Sequence, residues 1–117
     1  MILKRVFRFE AAHQLPDYPG KCRRFHGHSY RMTVFLKLPV DPESGLAMDF
    51  AEIQRIVDQN VISKLDHQNL NEIIDNPTSE RLIMWIWDQL EGKLNGIYEL
   101  ELSETESSSV IYRKHDP

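Results

Sequence analysis

Three of the chain's five histidines, His13, His26 and His28, sit at spacings that could gather them on one metal ion. His26 and His28 are two residues apart, so they point the same way only if the segment is extended; on a helix they would diverge. A histidine trio with an open fourth position is the expected form of a catalytic zinc site, whereas structural zinc takes four protein ligands. The ordinary alternative is a set of loop-side histidines satisfied by hydrogen bonds. His115 stands apart from the cluster in sequence.

Cys22 is the only cysteine, four positions before His26. It cannot form an intramolecular disulfide, which leaves a free thiol, a metal ligand or half of an intermolecular bridge. It could close a structural zinc site or stand free as a thiolate acting on whatever the metal holds. Lys21, Arg23 and Arg24 would favour the thiolate and attract an anionic substrate, although taken singly each is also a normal solvated charge. Asp66 and His67 form a further candidate, because a carboxylate can set the orientation and proton affinity of a neighbouring imidazole. A lone Asp-His dipeptide in a loop is equally an ordinary surface feature.

The elements that must position these groups follow from periodicity. From Leu3 the odd positions carry Leu3, Arg5, Phe7, Phe9, Ala11 and His13, and the even ones Lys4, Arg8 and Glu10, a mostly period-two pattern that predicts a strand with His13 at the end of its apolar face. From His26 the even positions carry His28, Tyr30, Met32, Val34, Leu36 and Leu38, a second strand whose first inward positions are the histidines. Pro16, Pro19 and Gly20 make the segment between them a loop. If the two strands pair antiparallel, His13 lies beside His26 and His28.

Asp49 followed by Glu52 reads as a cap before apolar residues at helical spacing, Phe50 to Val61. A connection, "LDHQNLNEIIDNPTSE", leads to a second helix capped by Thr78 and running through Leu82, Ile86, Leu90 and Leu94 to a stop at Asn95-Gly96. Tyr98, Leu100 and Leu102 then alternate with polar residues in a third strand, and a fourth follows from Val110 to Arg113. Glu104 inherits the apolar parity of the third strand. A carboxylate there is costly to bury unless it receives charged or multiple hydrogen bonds, so it either reaches solvent beyond the strand or receives a guanidine-like donor edge such as that of a pterin or guanine. The order ββααββ predicts an α+β fold: a four-stranded antiparallel sheet with both helices on one face.

At 117 residues the chain has the size of one domain, and residues 1–117 are expected to form one. Hydrophobic residues make up 41% and charged residues 27%, ordinary for a globular chain. The longest apolar run, Leu82 to Trp87, is six residues against the roughly 20 a membrane span needs. Charged residues interrupt the first thirteen positions, so no secretory signal is expected, and a reducing cytoplasmic setting suits the single thiol. The net charge of -4 argues against a broad nucleic-acid face.

Taken together, "FEAAH", "CRRFHGH", "LDH", "NPTSE" and "SETES" resemble, in order over nearly the whole chain, the 6-pyruvoyl-tetrahydropterin synthase family, especially its bacterial 6-carboxy-5,6,7,8-tetrahydropterin synthase branch of queuosine biosynthesis. The resemblance implies the tunnelling fold, a homohexamer made from two trimers, and zinc on His13, His26 and His28. It implies Cys22 as catalytic cysteine and Asp66 with His67 as an acid–base pair supplied across a subunit interface. Glu104 would anchor the pterin ring, helped by Thr105 and the segment around Thr78. The implied substrate is 7,8-dihydroneopterin triphosphate, converted to 6-carboxytetrahydropterin with release of acetaldehyde and triphosphate. The alternatives are 6-pyruvoyltetrahydropterin formation by triphosphate elimination, and a zinc-stabilised module that binds a pterin without reacting.

Overall fold

A computed structural model describes residues 1–15, Gly20 and 24–116. Strand β1 (Ile2–His13) pairs antiparallel with β2 (His26–Lys37) along their whole length. The register places His13 opposite His26, Ala11 opposite His28 and Phe9 opposite Tyr30. Because side chains alternate with period two, this register carries every inward residue of both strands onto one face.

The sheet departs from the expected four antiparallel strands. Among the described residues it has five, in the order β3-β1-β2-β4-β5, and β3 (Gln68–Asn69) runs parallel to β1 against Ala11 and Ala12. A two-residue strand is too short to show an alternation, and its register comes from tertiary pairing rather than from its own composition. Strand β4 (Ile97–Thr105) pairs with β2, and β5 (Ser108–Tyr112) closes the other edge through a hairpin. The hairpin is not regular. Ser103 faces Ser109 while Thr105 faces Ser108, so Glu104 is the extra residue of a bulge.

The first helix, α1 (Phe50–Val57), is capped by Asp49, whose Oδ1 accepts from the Ala51 N–H at 2.8 Å. The helix does not stop at Val57. It passes through a wider π-type turn (Asp58–Ile62) into α2 (Ser63–Leu65), delivering Leu65 into the core immediately before Asp66. A turn of 3-10 helix, Leu70–Glu72, follows β3. The last helix, α3 (Ser79–Leu90), is capped by Thr78 Oγ1 accepting from the Arg81 N–H at 3.1 Å, a bond worth about 1 kcal/mol. It ends at Leu90, earlier than expected. Gly92 supplies the left-handed conformation (φ 85°) that terminates helices, and Leu94 stays buried through a turn bonded back to Leu90.

The helices cover the inward face of the sheet. Phe9, Tyr30, Met32 and Leu100 from the strands meet Ile53, Leu82, Ile86 and Trp87 in one cluster. Each such side chain contributes about 1.5–3 kcal/mol by burial, several times the difference in helix or strand propensity between residue types, so packing rather than propensity holds these elements in place. The Asn95-Gly96 pair serves the β4 entry. Gly96 has φ 75°, its carbonyl accepts from the Lys37 N–H at 2.8 Å, and a Cβ there would lie 2.6 Å from Leu38 Cδ2. Gly96→Ala is expected to lower stability by about 1–3 kcal/mol, read as a shift of the thermal or denaturant midpoint.

Candidate active site

His13 is fully buried at the end of β1. Its Nδ1 donates to the Pro77 carbonyl at 2.8 Å, and the buried Tyr30 oxygen shares that proton more weakly from 3.3 Å. A carbonyl only accepts, so Nδ1 carries the proton and Nε2 presents a bare lone pair. The same argument holds for His26, whose Nδ1 donates to the Arg24 carbonyl at 2.6 Å. The two Nε2 atoms are nevertheless 3.0 Å apart. Two lone pairs facing each other at that distance repel unless a cation lies between them.

His28 completes the group. Its Nε2 is buried and has no hydrogen-bond partner, a cost of about 1–3 kcal/mol if nothing engages it. Burial lowers its pKa, with the nearby Glu104 charge acting the other way, so the imidazole is held toward the neutral, ligating form. The three ligand atoms all lie within 4.8 Å of one another. Tetrahedral zinc with bonds of ~2.05 Å needs nitrogen atoms about 3.3 Å apart, a spacing this cluster reaches by small adjustments of its side chains. The donor set, the two carbonyl-oriented rings and the unpartnered nitrogen fit zinc.

Glu104 stands beside the cluster because of the bulge. In a regular hairpin, residues near the end of β4 would keep the strand's register; the extra residue re-aims the side chain over the rim of the sheet. Glu104 Oε2 lies 3.6 Å from His28 Nε2 and Oε1 3.9 Å from His13 Nε2, while Ser79 Oγ donates to Oε1 at 2.6 Å. The carboxylate borders two openings. A cleft of about 300 Å³ is lined by Ser79, Thr105, Ser109 and Val110; another of about 500 Å³ is lined by Arg8, Arg31, Ser103 and Glu106. Thr78 spends its hydroxyl on capping α3, and Thr105 sits exposed at the hairpin tip, its Oγ1 3.3 Å from Ser107 Oγ.

Asp66 and His67 are hung on β1. Asp66 Oδ1 accepts from the Glu10 N–H at 2.9 Å, and the His67 N–H donates to the Glu10 carbonyl. That clamp extends the parallel pairing of β3 by one step and holds His67 at φ 60°, a left-handed conformation that costs a non-glycine residue about 1–3 kcal/mol. The Glu10 N–H, followed by the His67 ring, holds the Asp66 carboxyl below the usual carboxylate range. His67 Nδ1 is 3.2 Å from Asp66 Oδ2, and the ring is 78% exposed. It opens onto a cleft of about 410 Å³ whose walls include Glu10, Ala12, Phe25, Gly27, Ser29 and His28 of the histidine trio. Neither cleft bordered by Glu104 includes His67.

The structure therefore brings His13, His26, His28 and Glu104 together and places Asp66 and His67 beside Glu10 of β1, with His67 and His28 lining one cleft that Glu104 does not border. Cys22, with Lys21 and Arg23, lies outside the described residues. Ser79 is a contact that periodicity did not disclose, since "NPTSE" reads as a helix start and a first-turn serine has no pattern of its own.

A family model described as 6-pyruvoyl tetrahydropterin synthase matches residues 2–115. The chain is 40% identical to the 6-carboxy-5,6,7,8-tetrahydropterin synthase of Synechocystis, over 95% of this chain and 92% of that protein. It is 38% identical to the 6-pyruvoyl tetrahydrobiopterin synthase of Dictyostelium discoideum, over 80% and 74%. The solved structure of Caenorhabditis elegans 6-pyruvoyl tetrahydropterin synthase superposes with a TM-score of 0.88 at 27% identity, covering 97% of this chain and 94% of that one. Among the described residues no helix is long and apolar enough to cross a membrane.

Proposed function

The chain belongs to the 6-pyruvoyl tetrahydropterin synthase family, and from that premise we propose that it is a zinc-dependent lyase converting 7,8-dihydroneopterin triphosphate to 6-carboxy-5,6,7,8-tetrahydropterin, with release of acetaldehyde and triphosphate. This product would feed queuosine-type deazapurine synthesis. The observation that carries the reading is the histidine trio with its unpartnered Nε2, set within 4 Å of a carboxylate able to hold a pterin edge. The 40% identity to a protein named for this product supports it over the pyruvoyl-forming reaction, for which the Dictyostelium relative and the C. elegans structure speak.

In this reading His13, His26 and His28 hold zinc. Bound there, the ion would polarise the side-chain hydroxyls of the substrate and lower their pKa. Glu104 accepts from the amino-pyrimidine edge of the ring, with Thr105 and the Thr78 segment forming the rim. Cys22 and His67 move protons to and from the side chain and ring, and Asp66 orients His67 and balances its charge. One side-chain carbon stays on the ring as the carboxyl and two leave as acetaldehyde, so a carbon–carbon bond breaks as well as the bond to triphosphate, and one water is consumed to supply the second carboxyl oxygen.

The acid–base pair is read as serving a neighbouring copy. Separate clefts for Glu104 and His67 support this, as do two open sheet edges: Ile2–Phe9 of β1 and the outer side of β5 have no strand beside them among the described residues. Edges of this kind invite pairing with another copy. A homohexamer of two trimers, acting in the cytoplasm, is the assembly proposed. The test is to incubate the zinc-loaded protein with dihydroneopterin triphosphate and identify the products by mass. Acetaldehyde with 6-carboxytetrahydropterin is the expected result. A pyruvoyl product without acetaldehyde would move the chain to the other branch, and tight binding with no product would make it a binding module.

A further inference from the structure

From the contact between α3 and the bulged end of β4 we infer that Ser79 is a positioning residue for the pterin-binding carboxylate, its hydroxyl holding Glu104 in the orientation that receives the ring's donor edge. The inference rests on the reading of Glu104 as the pterin anchor. Among the described residues Ser79 is the only group within hydrogen-bond distance of Glu104, and at 2.6 Å the bond has the length of a hydroxyl donating to a charged oxygen. The two histidine nitrogens at 3.6 and 3.9 Å are beyond that range and, when ligating, carry no proton to offer.

A glutamate side chain has three rotatable bonds, and ordering it on binding costs up to about 1.5–2 kcal/mol of rotamer entropy. A hydroxyl that fixes one oxygen beforehand removes much of that cost from the binding step. It also leaves the carboxylate usable. Two carboxylate oxygens offer about four acceptor positions, of which Ser79 takes one, so about three remain for the two parallel donors of an amino-pyrimidine edge.

The same short segment orients the metal side. Pro77 accepts from His13 Nδ1 at 2.8 Å, Thr78 caps α3 through Arg81, and Ser79 holds Glu104. The three residues Pro77, Thr78 and Ser79 thus set the placement of the carboxylate relative to the ligand cluster. Ser79 is the first residue of the helix and not its cap, so alanine there removes the contact to Glu104 without removing the capping bond.

The experiment is a double-mutant cycle on Ser79→Ala and Glu104→Ala, with 7,8-dihydroneopterin as the fluorescent probe of binding. Zinc content and thermal midpoint are measured for each variant, along with KM and kcat on the triphosphate. Ser79→Ala is expected to weaken probe binding and raise KM by roughly 5- to 20-fold, at unchanged zinc content. Ser79→Thr should restore binding to within about twofold, since it keeps the hydroxyl. In the Glu104→Ala background, Ser79→Ala should have no further effect. An equal loss in both backgrounds would overturn the inference, because Ser79 would then act without Glu104. Normal binding by Ser79→Ala beside weakened binding by Glu104→Ala would overturn it too, while leaving the anchor standing. Normal binding by Glu104→Ala would remove the anchor and the inference with it.

Discussion

Replacing His28 with alanine is expected to strip the zinc and take turnover with it while the fold survives. Among the three histidines it is the most informative to remove. His13 is fully buried, so its loss would also open a hole in the core and withdraw the donor from Pro77 O. His28 sits at the rim, its side chain 18% exposed, and its Nε2 has no hydrogen-bond partner in the protein. Truncation there discards an unsatisfied polar atom rather than a packed one, which limits the stability loss to about 1 kcal/mol in the metal-free protein. The metal loses one of three protein ligands. Groups that merely orient a ligand are worth about 10- to 100-fold in affinity, so loss of a ligand itself should exceed 100-fold. Metal content after dialysis against a mild chelator and a thermal melt of metal-free protein separate the two effects. Full zinc occupancy in His28→Ala would overturn the trio as the binding site.

Mixing two inactive variants is expected to restore activity. Cys22→Ala and His67→Ala each remove a proposed proton-transfer group and should lower kcat by about 10²- to 10⁴-fold. If His67 serves a neighbouring copy's site, a chain lacking Cys22 and a chain lacking His67 can together build one intact site. After co-refolding at equal amounts, roughly a quarter of sites should carry both groups, for random assortment around a closed ring. If the pair acted within its own chain, no mixture would recover anything. Activity of the mixture, compared with each variant refolded alone, therefore reports the composition of the site directly. Zinc content should remain normal in both variants, because neither residue is among the three nitrogen ligands; zinc lost from Cys22→Ala would instead favour a closed structural site.

Most of the frame that carries these groups is legible in the sequence, for a physical reason. Long strands buried on one face must alternate, and β1 and β2 alternate cleanly enough that His13, His26 and His28 can be placed on one face before any pairing is known. The cap at Asp49 and the cap at Thr78 are equally readable, because they depend on a side chain and an amide two or three residues away. What is not legible depends on distant partners. β3 is a strand only because Ala11 and Ala12 lie beside it. The bulge that re-aims Glu104 is a property of two strands' register, although the parity argument still marks that carboxylate as out of place. Helix continuation as far as Val61 is readable from its apolar spacing, but the π-type turn through Asp58–Ile62 that carries Leu65 into the core as well is not. Ser79 joins Glu104 across 25 positions, and nothing in one dimension announces it.

The clamp on Glu10 uses only its backbone amide and carbonyl. Its side chain, exposed and bonded to Ser29, takes no part in holding Asp66 and His67. Position 10 can therefore change type freely without moving the pair, with one exception: proline has no amide hydrogen to give Asp66. Three positions further along the same strand stands His13, about 10 Å away at strand rise. β1 is thus a rigid ruler between the metal cluster and the acid–base pair. Substitutions along it keep its length, but inserting or deleting a single residue at Ala11 or Ala12 would change the length of the ruler and, by the period-two rule, turn one of the two groups to the opposite side of the sheet.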